Sequence, residues 1–105
     1  MPVNLFVYGT LMDAETWSYF TTKTYHSTSF VLKGYVKKRI KDRPYPGIIV
    51  HPDSFVEGIL YANVEEDDIY RLDEYEGDEY DRIILTQDGM DIETYLFTGD
   101  VRLLH

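Results

Sequence analysis

Cysteine is absent from this 105-residue sequence. That excludes disulfides, thiolate nucleophiles and cysteine-ligated zinc, and it fits a reducing compartment. Long apolar runs are absent too, none approaching the roughly 18 residues of a membrane-spanning helix. The opening residues, MPVNLFVYG, carry neither the basic stretch nor the cleavage site of a secretory leader. A cytoplasmic address with no membrane partner is therefore expected. Basic residues are scarce, ten Lys and Arg against nineteen Asp and Glu, for a formal net charge of −9. Such a surface repels phosphate, which excludes nucleic acid as a partner. Six of the ten basic residues lie in KGYVKKRIKDR, between Lys33 and Arg43, a pattern suited first to a solvated strand face and second to attracting a small anionic substrate.

Metal and nucleotide signatures are missing as well. His26, His51 and His105 are far apart and match no ligand spacing. The acid-rich stretch from Glu65 to Asp81 lacks the alternating ligands and glycine of a calcium loop. No second glycine or Lys-Ser/Thr follows Gly9, so no phosphate-binding loop is present, and Ser27 and Ser54 lack a nucleophile-elbow context. Neither metal nor cofactor is expected.

The sequence does have the means to build a core: 44% hydrophobic residues, 15% aromatic, ten of them tyrosine. With no repeat, linker or low-complexity tract, residues 1–105 read as one domain. Val3–Tyr8 reads as a strand buried on both faces. Gly9 breaks it, and Asp13–Phe20 follows as a short helix capped by Asp13. Phe30–Ile40 reads as a strand, Asp42–Pro46 as a turn and Gly47–Val50 as a short strand. A second turn at Pro52–Ser54 leads into a strand over Phe55–Asn63. Glu65–Glu76 reads as a helix stopped by Gly77. Arg82–Thr86 and Glu93–Phe97 form a hairpin around Asp88–Gly89. The sum is an α+β fold: a small, partly closed, mixed β-barrel of about six strands with two flanking helices.

Two places in this pattern carry chemistry. Tyr8-Gly9-Thr10-Leu11 takes a buried strand through a glycine towards a helix, a junction whose unpaired N–H groups suit an anion or oxyanion. Farther on, ten of the nineteen acidic residues fall between Glu65 and Asp81. At about 100° per residue Ile69 and Leu72 define an apolar helix face. Asp67, Asp68 and Glu74 are read as falling away from that face into solvent. Glu76 falls on it, where desolvation raises a carboxyl's pKa and makes it a candidate proton carrier.

Four segments, LFVYGTLM (5–12), RPYPGIIV (43–50), VEGILY (56–61) and LDEYEGDEYDR (72–82), occur in an order and at a spacing that resembles the γ-glutamylcyclotransferase-like family. The likeness is to its avirulence-induced-gene-like and γ-glutamylamine cyclotransferase branches in particular. It implies a small barrel with flanking helices and a cofactor-independent transferase or lyase reaction. The substrate would be a small γ-glutamyl compound, converted to 5-oxoproline and a free amine or amino acid. Glu76 matches the family's catalytic general acid/base. Tyr8, Gly9, Thr10 and Leu11 match the loop that cradles the substrate's α-carboxylate and amide oxygen. Tyr45 and Pro46, Tyr80 and Arg82, and Tyr95 match further substrate-binding positions. The Gly-Thr-Leu of this chain, where glutathione-type and γ-glutamyl-amino-acid-type enzymes typically have Gly-Ser-Asn-Leu or similar, points away from both of those substrate types. The alternative the resemblance leaves open is a non-catalytic module of the same fold that binds a small carboxylate.

Overall fold

The computed structural model describes residues 2–104. Its elements run β1 (Val3–Val7), a 3₁₀ turn (Thr10–Met12), α1 (Ala14–Phe20), β2 (Ser27–Arg39), β3 (Pro46–Val64), α2 (Glu66–Glu76), β4 (Tyr80–Gln87), β5 (Met90–Phe97) and a second 3₁₀ turn (Val101–Leu103). His105, one of the three histidines weighed above as a metal ligand, lies outside the described residues.

The apolar run around β1 makes it the centre of the sheet. β1 pairs antiparallel with β3 and parallel with β5, in the strand order β2-β3-β1-β5-β4. Side chains alternate across a strand, and here both sides are covered. Leu5 and Val7 enter a core with Trp17 of α1 and Ile69 and Leu72 of α2. Phe6 and Tyr8 enter a second core with Leu32 of β2, Val56 of β3 and Ile92 of β5. Leu85 of β4 also packs on this second core, so both edge strands wrap the same cluster and the sheet curls. At one end the edges meet through the Gln87 side chain. Its carboxamide accepts from Lys33 N at 2.9 Å and donates to the Val31 carbonyl at 2.8 Å. The sheet is thus partly closed, with a side chain supplying the closing rung.

There are five strands where about six were expected. The expected Gly47–Val50 and Phe55–Asn63 strands are one strand, β3, which stays paired with β2 along both parts. Tyr35 faces Val50 and Lys33 faces Phe55, so residues 51–54 stand opposite Gly34 alone. The expected turn at Pro52–Ser54 is therefore a bulge of the continuous strand, which bends without reversing.

Local signals fall where their chemistry requires. The Asp13 carboxylate caps α1 by accepting from Thr16 N at 3.0 Å, while Leu11 and Met12 belong to the preceding turn. Gly77 ends α2 at φ 80°. Asp88 and Gly89 both hold positive φ, 54° and 75°, as a two-residue hairpin turn demands. Gly58 is needed for space: a Cβ there would stand 2.3 Å from the Val7 carbonyl oxygen. Among the described residues no helix is long and apolar enough to cross a membrane, and no three metal-capable side chains come together.

Candidate active site

Helix α2 begins with Glu66, Asp67 and Asp68 in its first turn, where carboxylates oppose the positive end of the helix dipole. Asp68 corrects the wheel drawn above: it is fully buried. It precedes Leu72 by four residues and shares its side of the helix. Its carboxylate accepts from the Thr22 N–H and hydroxyl, from the Tyr25 hydroxyl at 2.6 Å and from Arg71 at 2.9 Å. Burial works to raise its pKa. The hydrogen bonds from Tyr25 and Thr22 and the charge of Arg71 outweigh that, and the net direction is down. Asp68 thereby fastens the α1–β2 connection to α2.

One helical face and two turns later stands Glu76, held largely out of water. Among the described residues nothing hydrogen-bonds its carboxyl. Desolvation, reinforced by the negative charge of Asp73 one turn earlier, lifts its pKa from 4.5 to about 7.

Glu76 opens onto a cavity of about 120 Å³. The first loop borders it with Tyr8, Gly9, Thr10 and Leu11, Tyr45 comes from the β2–β3 turn and Pro46 from the start of β3. Tyr80 enters from β4 and Tyr95 from β5. The N–H groups of Gly9, Thr10 and Leu11 donate to no carbonyl among the described residues. A Cβ on Gly9 would approach Pro46 Cδ to 3.2 Å, so glycine lets the two bordering segments touch. The Arg43–Glu79 ion pair, with Nε–Oε1 and Nη2–Oε2 both 3.0 Å, ties the β2–β3 turn to the segment after α2.

Arg82, expected among the substrate-binding residues, is placed outside this lining. Its guanidinium grips Asp73, Nε to Oδ1 at 3.0 Å and Nη2 to Oδ2 at 3.2 Å, and also bonds Glu93. Asp73 in turn accepts from the Tyr95 hydroxyl at 2.6 Å. Arg82 thus connects to the cavity through Asp73 and Tyr95.

Two functional positions went unread in the sequence. Tyr75 lines the cavity, and its hydroxyl lies 2.6 Å from that of Thr10. The three-residue steps from Asp73 to Glu76 and from Leu72 to Tyr75 on one helix were the available signals for the two.

The family model described as "Gamma-glutamyl cyclotransferase, AIG2-like" matches residues 5–103. Among curated proteins, AIG2-like protein C of Arabidopsis thaliana is 33% identical over 100 residues, covering 90% of this chain and 58% of that protein. AIG2-like protein A of the same plant is 32% identical over 100 residues, covering 90% and 61%. The chain thus spans about three fifths of the length of these relatives. A solution structure of an Arabidopsis thaliana protein superposes with a TM-score of 0.81 at 28% identity, covering 98% of this chain and 74% of that one. The crystal structure of an uncharacterized protein from Pyrococcus horikoshii, 16% identical, shares the fold at a TM-score of 0.72, covering 93% and 80%.

Proposed function

The chain belongs to the gamma-glutamyl cyclotransferase, AIG2-like family, and on that premise we propose that it cyclises a γ-glutamyl amide, releasing 5-oxoproline and an amine or amino acid. The observation that carries this reading is Glu76: a largely desolvated carboxyl with no hydrogen-bond partner among the described residues, facing a small cavity and poised near neutral pH.

The reaction is intramolecular. The cavity's first task is to fold the glutamyl chain so that its α-nitrogen reaches its own γ-carbon. Ionised Glu76 takes a proton from the α-ammonium, and the freed amine attacks the γ-carbonyl. A new C–N bond closes the five-membered ring and negative charge gathers on the carbonyl oxygen. The N–H groups of the 9–11 segment, unpaired among the described residues, are donors available to that oxygen. The tetrahedral centre collapses by breaking the bond to the leaving nitrogen. Two protons leave the α-nitrogen and two arrive on the leaving nitrogen, so one carboxyl that gives and takes in succession balances the reaction. A carboxyl with a pKa of about 7 is matched to both roles at neutral pH.

The test is 5-oxoproline release from a panel of γ-glutamyl amino acids and γ-glutamyl amines, with Glu76→Gln run beside the wild type. Product from the wild type alone supports the reaction and the role of Glu76, whereas turnover by Glu76→Gln overturns that role. Ligand-induced stabilisation with no product across the panel favours a binding module over an enzyme.

A further inference from the structure

Ten residues of the protein are lysine or arginine, and ion pairing divides them sharply. Lys23, Arg43, Arg71, Arg82 and Arg102 are each held by a carboxylate. Lys33, Lys37, Lys38, Arg39 and Lys41 have no acidic partner among the described residues. Nineteen acids are present in the chain to pair with them, yet every one of these unpaired cations lies on β2 or just past its end.

β2 is also an edge strand, and parity identifies its outward hydrogen-bonding groups. Along an antiparallel strand, the backbone groups of alternate residues point to the same side. The Val31 carbonyl and the Lys33 N–H face outward, since both bond to Gln87. At the far end the Lys41 N–H faces outward to the Leu103 carbonyl at 2.7 Å, beside an antiparallel bridge between Ile40 and Leu104. Tyr35, Lys37 and Arg39 lie at even steps from both ends, so their N–H and C=O groups face outward too. Among the described residues no strand lies alongside them. The side chains follow the same alternation: Lys33, Lys37 and Arg39 are exposed, whereas Leu32 and Ile40 are buried.

We propose that the β2 edge from Tyr35 to Arg39 is a docking strip for an acidic, extended segment of a partner protein, which adds to the sheet as a further strand. Side chains directly opposite on paired strands share a face, and this specifies the partner's pattern. Acidic residues two apart stand opposite Lys37 and Arg39, and an apolar residue stands opposite Val36. Lysine on an edge strand keeps apolar and basic strands away. Towards carboxylates the same row is attractive, and it bars a second copy of this stretch, whose cations would meet their own kind. The net charge of −9 gives no long-range pull on an acidic chain. The attraction is local, within the roughly 8 Å over which charges act at physiological salt. None of these residues borders the Glu76 cavity, so the strip is independent of the reaction.

The probe is a capped synthetic peptide, Glu-Val-Glu-Thr-Glu-Val-Glu, set against one of the same composition with its glutamates contiguous. Calorimetry on the whole protein reads affinity, and amide hydrogen exchange by NMR reads the edge. The alternating peptide is expected to bind on the order of tenfold tighter, from backbone hydrogen bonds made in register. Exchange should slow at Tyr35, Lys37 and Arg39 and stay as it was at Val36 and Lys38, whose N–H groups face β3. Replacing both exposed cations, Lys37→Gln with Arg39→Gln, should weaken the alternating peptide about fivefold. Equal affinity for the two peptides reduces the strip to charge alone and overturns the proposal, as does the absence of binding. Protection of the same amides that grows with protein concentration, without peptide, assigns the edge to a second copy and overturns it too.

Discussion

Arg82 holds both oxygens of Asp73 in a two-pronged grip, at 3.0 and 3.2 Å, and Asp73 sits one helical turn from Glu76 on the same helix. Since Asp73 raises the pKa of Glu76, Arg82 limits that effect by partly cancelling the charge. Arg82→Gln is expected to lift the Glu76 pKa further and move the pH–rate profile for 5-oxoproline formation to higher pH. Asp73→Asn is expected to shift it to lower pH. Carboxyl NMR titration of Glu76 reads the same two shifts without requiring turnover; movement in the opposite sense would refute this arrangement.

Glu76 also makes stability depend on pH, with a sign that can be worked out. Its pKa is about 7 in the fold against an ordinary 4.5. Between those values the folded protein holds a proton that the unfolded chain has lost, so stability falls as pH rises through this window. The full difference is about 3 kcal/mol, present at low pH and gone by pH 8. Glu76→Gln removes the titration. Melting curves of the two proteins from pH 4.5 to 8 should diverge, with the variant gaining on the wild type as pH rises.

The Asp68 cluster behaves oppositely. Its pKa is lowered in the fold, so its contribution is present above the ordinary carboxyl range and is lost as pH falls through the folded value. Asp68→Asn weakens a buried acceptor that serves Thr22, Tyr25 and Arg71, and should cost about 2 to 3 kcal/mol. Urea unfolding at pH 7 measures it. A loss below half a kcal/mol, roughly the level of a neutral surface change, would mean that the cluster does not fasten the α1–β2 connection.

Gly58→Ala should be among the least tolerated single changes. Its Cβ would press to 2.3 Å on the Val7 carbonyl and to 2.6 Å on the Phe6 ring, and a backbone atom cannot rotate away. Overpacking of this kind costs about 3 kcal/mol, or on the order of 15 °C in melting temperature for a domain of this size. Thermal denaturation of the purified variant checks it.

What the sequence made legible was what repeats or punctuates locally. Helix α2, the Asp13 cap, the Asp88–Gly89 turn and the inward aim of Glu76 all follow from spacing within a few residues. Four things did not. The continuity of β3 through Pro52 depends on β2 lying alongside, a partner remote in sequence. Asp68 was read as solvated although it follows from the same wheel; aspartate is rarely buried unless partnered, and its partners Thr22 and Tyr25 lie more than forty positions earlier. Arg82 was placed in the cavity by family likeness, whereas its β4 position aims it at Asp73. The gathering of Tyr8, Tyr45, Tyr80 and Tyr95 around one space could not be inferred from strand patterns, since ten tyrosines offer many equivalent choices.

The carboxamide of Gln87, reaching across to Val31 and Lys33, has a consequence for how this protein behaves in a crowd. An uncovered strand edge is an invitation to a second chain, because its N–H and C=O groups can zip onto any extended segment. Here one donor and one acceptor on β2 are occupied by a side chain too short to propagate a ladder. A single amide thus acts as a stopper on one rung of the edge, and shortening it in Gln87→Ala would uncover a docking strip for self-association.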